Sequence, residues 1–150
     1  NYFTKRKKFQ KGNSFFSFKL NNLKQESVSL KELDCQLCLV EFWSTWPPEL
    51  AMVQNTNLLT NYRKNKTKGF EVIAISLNTN RFDWLSYVLQ RQMPWVNLRA
   101  EEGFTSKIAS QMGITHVPQN YLIDQSGTII AKNIALDELQ IYQDLILDKN

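Results

Sequence analysis

Residues 41–50 read EFWSTWPPEL. Glu41, Phe42 and Trp43 complete the run LCLVEFW (37–43), which is nearly continuous in apolar residues. Such a run suits a strand buried on both faces of a parallel sheet. Pro47 and Pro48 then open a helix, because the first helical positions have no intrahelical use for an N–H. Ala51, Leu58 and Tyr62 fall on one helical stripe, with Leu59 beside it, and KNKTKG (64–69) ends that helix. The stretch is therefore a strand, an exposed turn carrying Trp46, and a helix start.

Working outward, SFFSFKL (14–20) alternates apolar Phe16 and Phe18 with polar residues and predicts a half-buried strand. NNLKQ is a turn and SVSL the return strand. FEVIAISL (70–77) predicts a second buried strand. Asn80 is a helix N-cap with Asp83 in the first turn. Phe82, Leu85, Leu89 and Met93 follow at helical spacing. WVNL is a short strand or extended link. Phe104, Ile108 and Met112 sit four apart and Gly113 closes their helix. NYLI (120–123) and TIIAK (128–132), joined by DQSG, predict an antiparallel hairpin. Leu136, Leu139, Tyr142 and Ile146 form the apolar face of a last helix. The order implies an α/β fold: a mixed central sheet with helices on both faces, preceded by an N-terminal strand pair.

The chain has 150 residues and is 43% hydrophobic, which suits one core rather than a disordered segment. No apolar run is long enough to span a bilayer. The net charge of +4 is uneven. Lys5, Arg6, Lys7, Lys8 and Lys11 give residues 1–12 a charge of +5, and the remaining 13 basic and 14 acidic residues leave −1. Residues 1–13 therefore read as a basic tail or linker and 14–150 as the domain. The tail reads as a solvated leader or linker, with a juxtamembrane arm below a membrane tether, or a nucleic-acid-binding arm, as the functional alternative. The basic start at Asn1 is followed by no apolar signal segment. The body has no basic stripe interleaved with aromatics, which argues against nucleic acid as a partner. No cofactor motif is expected. His116, the only histidine, has no partners at metal spacing and reads as a solvated loop residue.

Three local motifs together resemble the thioredoxin-like thiol-disulfide oxidoreductases, within the alkyl hydroperoxide reductase and thiol-specific antioxidant superfamily. They are LVEFWSTW (39–46), FEVIAISLN (70–78) and GITHVPQNYLID (113–124), and the resemblance covers roughly residues 14–148. It implies a thioredoxin-like fold with Pro118 as the family's cis-proline. It also implies a periplasmic or membrane-tethered bacterial setting. In the family the strand and Trp turn lead into Cys-x-x-Cys. Here Pro47, Pro48, Glu49 and Leu50 occupy those four places. Exchange requires a thiolate, and neither proline nor leucine supplies one. The active site is thus degenerate at its usual place. Trp46, Val117 and Pro118 are left as an apolar groove for an extended peptide or partner protein, bound as an added strand. The family's strand carboxylate corresponds to Glu41, here expected to be buried and hydrogen-bonded, while Glu49 complements the helix dipole.

A second Cys-x-x-Cys, Cys35 and Cys38 in DCQLCLVEF, lies at the start of the strand. If residues 35–38 are extended, their Cα atoms are about 10 Å apart at ~3.3 Å per residue. A disulfide needs them within about 7 Å. The expected state is therefore a buried, unbonded Cys38 and a loop thiol at Cys35. A structural disulfide, or a displaced redox pair, requires CQL to make a tight turn. The function expected from the sequence is thus a redox-inactive domain that binds an extended peptide or partner protein. The alternative is a thiol-disulfide oxidoreductase using Cys35 and Cys38.

Overall fold

The computed structural model describes residues 12–147, without the side chains of residues 50 and 52–55. The basic tail at 1–11 lies outside the described residues. Seven strands form one sheet: β1 (Lys19–Asn21), β2 (Ser27–Ser29), β3 (Leu37–Trp43), β4 (Phe70–Ser76), β5 (Val96–Arg99), β6 (Gln119–Asp124) and β7 (Ile129–Lys132). Their order is β2-β1-β5-β4-β3-β6-β7. The helices are α1 (Pro48–Asn65), α2 (Arg81–Arg91), α3 (Lys107–Met112) and α4 (Leu136–Ile146).

β3 lies inside the sheet and every one of its residues is buried. It pairs in parallel with β4 and antiparallel with β6 over almost its whole length. The alternation along β3 splits the core in two. Cys38, Val40 and Phe42 join Phe15, Phe18, Tyr121 and α3 on one face. Leu37, Leu39 and Trp43 join α1, α2 and α4 on the other. Helices therefore cover both faces, as the order of elements predicts.

Asn80 caps α2 by accepting a hydrogen bond from Asp83 N at 3.0 Å. Gly113 ends α3 in the left-handed region at φ 69°. The prolines open α1 at Pro48, with Pro47 as its N-cap residue.

Three expectations change. Residues 15–18 are not a strand: Phe15 and Phe18 both turn into the core, and Phe16 is only partly covered. This segment runs over the sheet face, where the Phe15 ring meets Phe18, Phe42 and Tyr121 at centroid distances of 6.3, 6.5 and 5.5 Å. Aromatic packing on one side outweighs the alternating pattern. On α2 the buried stripe is Trp84, Tyr87 and Val88, whereas Phe82 and Leu89 face solvent. Likewise Phe104 is exposed, because α3 begins only at Lys107.

Candidate functional site

The turn after β3 is tied to the end of β4. Thr45 N donates to Asn78 Oδ1 at 3.2 Å, and Asn78 Nδ2 donates back to Thr45 Oγ1 at 2.8 Å. Ser76 Oγ donates to the same Asn78 Oδ1 at 2.6 Å. With its backbone held, the turn presents Trp46 at 76% exposure. Trp46 and Pro47 share a depression of about 10 Å³ with Trp43, Ser44, Val117 and Pro118. The structure thus brings Trp46, Val117 and Pro118 together, but around a space that holds about one water. The Trp46–Pro47 and Val117–Pro118 peptide bonds are both cis. No sulfur lies at positions 47–50 at the start of α1. Glu49 and His116 are exposed.

Glu41 lies deeper on β3, on the face covered by α1 and α4. It is 2% exposed. Its expected hydrogen bond is absent at Oε1, which is buried without a partner. Burial pushes its carboxyl up to about 7, since desolvation penalises the charged form. Glu41 lines a cavity of about 240 Å³ with Leu39, Leu58, Asn120 and Leu139.

At the other end of β3, Cys35 and Cys38 form a disulfide. This corrects the expectation of two unbonded thiols. The extended-chain distance does not apply, because β3 begins only at Leu37 and Gln36 is a bend. Gln36 N and Leu37 N both donate to Gly69 O, at 2.9 and 3.2 Å, which fixes that bend. The Cα atoms are therefore 6.1 Å apart, inside disulfide range. Cys35 also turns to the same face as Cys38.

Both cysteines are largely covered, Cys35 at 8% and Cys38 at 2% exposure. Both nevertheless line a recess of about 390 Å³ with Phe15, Leu33, Lys31 and Asp124. Exposed Ser14, Ser17 and Gln125 also line it, so it opens to solvent. Burial works against ionisation of Asp124. Even so, hydrogen bonds from Ser126 Oγ at 2.6 Å, Thr128 N at 3.0 Å and Ser126 N at 2.9 Å hold its carboxyl below the usual range.

Sequence reading missed two polar clusters. Asn78 gives no signal beyond a polar residue after a strand. Asn61 and Gln143 exchange two hydrogen bonds at 2.8 and 2.7 Å, and Asn65 Nδ2 adds a third at 3.2 Å to Gln143 Oε1. This buried amide cluster locks α1 to α4. Its members are 78 and 82 residues apart, so no local pattern reveals it. Among the described residues no cluster of His, Cys, Asp and Glu could hold a metal ion.

A parallel β3–β4 pair, a helix leaving the end of β3 and an antiparallel β6–β7 hairpin against β3 define the thioredoxin fold. A family model described as Thioredoxin-like matches residues 34–129. The chain belongs to that family. A "Thiol-disulfide oxidoreductase ResA" from Bacillus thuringiensis subsp. konkukian is 28% identical over 131 residues, covering 86% of this chain and 72% of the relative. A solved thiol-disulfide oxidoreductase from Bacteroides fragilis superposes with a TM-score of 0.75 at 28% identity, over 89% of this chain and all of the other. The thioredoxin domain of a Bacteroides vulgatus thiol-disulfide oxidoreductase reaches a TM-score of 0.82, over 92% of this chain and 99% of that one. At 23% identity it supports the fold alone.

Proposed function

We propose that this chain is a thiol-disulfide oxidoreductase whose exchanging pair is Cys35–Cys38, at the opposite end of β3 from the family's usual site. The observation that carries this reading is the bonded pair lining a solvent-open recess. The relatives named for the same activity add support. In the step, a thiolate of a dithiol peptide attacks one sulfur of the pair. A mixed disulfide forms and the other cysteine leaves as a thiolate. The peptide's second thiolate then attacks the mixed disulfide, so the peptide is oxidised and Cys35 and Cys38 become thiols. Cys35 is the sulfur attacked, because it is the more accessible of the two. The setting is an oxidising, extracytoplasmic compartment, where such a bond persists.

Trapping tests the assignment. The Cys38→Ser variant, incubated with a disulfide-bonded peptide, accumulates a mixed disulfide on Cys35. The Cys35→Ser variant does not. On the native oxidised chain, a small monothiol adds to Cys35. An unreactive native pair, together with no adduct on either variant, contradicts the reading.

A second reading rests on Trp46. An indole 76% exposed beside Val117 and Pro118 is a ready anchor for an extended peptide. In that reading the domain binds without exchanging. Trp46→Ala then removes peptide capture while leaving the state of Cys35 and Cys38 unchanged. Capture that survives Trp46→Ala and Pro118→Ala removes this second reading.

A further inference from the structure

The cavity beside Glu41 is used by neither reading. It lies between β3, β6, α1 and α4, away from both cysteines. Its walls are apolar: Leu39, Leu58, Leu136 and Leu139 line it. Exposed Asn57 and Ala135 also line it, so it is open to solvent. Its volume of about 240 Å³ is that of roughly eight waters.

Two polar side chains reach it from the sheet, and they differ. Asn120 is committed: its Nδ2 donates to Ile134 O at 3.1 Å and its Oδ1 accepts from Ile134 N at 3.1 Å. Glu41 is not, since its buried Oε1 has no partner in the protein. No other titratable side chain lines the cavity among the described residues.

An unpaired buried carboxyl is costly, and the cost is largest for its ionised form. The pressure is relieved by a ligand that brings a positive charge and N–H donors to the Glu41 carboxylate, because charge-assisted hydrogen bonds are the stronger ones. The leucines call for an aliphatic body on the same ligand. We propose that this cavity binds a small aliphatic ammonium compound, its charged head on Glu41 and its alkyl chain against Leu39, Leu58, Leu136 and Leu139. The proposal is independent of the disulfide and stands or falls separately from exchange at Cys35.

The ligand needs the carboxylate, and the Glu41 carboxyl titrates near neutral pH through burial. Binding therefore strengthens about tenfold per pH unit while Glu41 is protonated, and levels off above its titration.

The test is calorimetric titration of the intact oxidised chain with n-butylammonium and, separately, with uncharged 1-butanol, at pH 5.5, 6.5 and 8. The expected result is saturable binding of n-butylammonium that tightens with pH, no binding of 1-butanol, and loss of binding in Glu41→Gln. Equal binding of 1-butanol, binding retained by Glu41→Gln, or no saturable binding at any pH overturns it. A readout that needs no variant is the Glu41 carboxyl carbon resonance of the native chain. Saturating n-butylammonium lowers its titration midpoint, and a midpoint that stays in place overturns the proposal.

Discussion

Glu41 lies within LCLVEFW, a strand buried on both faces, and its burial is legible in the sequence for that reason. Its missing partner is not, because the groups around Oε1 come from β6, α1 and α4. The energetic consequence is specific. The carboxyl titrates at about 7 in the fold and at the ordinary value of 4.5 when free. Between these values the folded state holds the proton and the unfolded state does not. Stability therefore falls as pH rises from about 4.5 to 7 and is flat above. The loss is on the order of 3 kcal/mol. Glu41→Gln is expected to remove that slope and to be the more stable protein at pH 8, as measured by urea unfolding at pH 5 and pH 8. Asp124 has the opposite sign. Its folded carboxyl titrates below its free value, so its contribution is present above the free value and is lost as pH falls through the folded one. Asp124→Ala removes the acceptor for Ser126 and Thr128 in the β6–β7 turn. It is expected to cost about 1–2 kcal/mol at pH 7, and less at pH 2, in the same unfolding measurement.

At the scale of elements, the long buried strands are legible because β3 and β4 are apolar on both faces. Helix starts are legible through Asn80 and the two prolines. The reading fails where two apolar stripes compete. On α2, Phe82, Leu85 and Leu89 are as regular as Trp84, Tyr87 and Val88. The choice is made by partners elsewhere. The Tyr87 ring lies 5.3 Å from that of Trp43, and the Arg99 guanidinium sits 5.9 Å from the Trp84 ring centroid. The turn before α3 is set in a similar way. Gly103 adopts φ +60°, and a Cβ there would lie 2.8 Å from Leu77 O, so backbone contact dictates the glycine. The α1–α4 lock gives a sharper test. Gln143→Leu leaves the buried Asn61 amide without its partner, while Asn65 Nδ2 keeps its 2.9 Å bond to Asn61 O. Thermal unfolding is expected to show a loss of about 2–3 kcal/mol, well beyond that of an exposed substitution such as Gln140→Leu.

At the scale of the molecule, β3 carries two ends with different chemistry. The end facing Trp46 has a held turn, two prolines at a helix start and Pro118 beside it, and no sulfur at positions 47–50. The end at Cys35 and Cys38 has a disulfide on a covered face beside an open recess. That positions 47–50 carry no sulfur is readable directly from the sequence. The presence of the disulfide is not, because it depends on Gly69, more than thirty residues away, pinning the bend at Gln36. A loop this short constrains the unfolded chain little, and the chain-entropy relation gives about 2 kcal/mol for it. Both the oxidised and the reduced protein are therefore expected to be folded. Circular dichroism with and without dithiothreitol checks this, and an exchanging pair requires it. The measurement that bears most directly on the central claim is the midpoint potential of Cys35–Cys38. It is obtained by equilibrating the native chain in graded redox buffers, quenching with acid, alkylating and counting modified thiols by intact mass. The account predicts a reversible two-electron transition between about −270 and −120 mV, the range of exchanging proteins. A bond that remains closed below about −300 mV is structural and contradicts it.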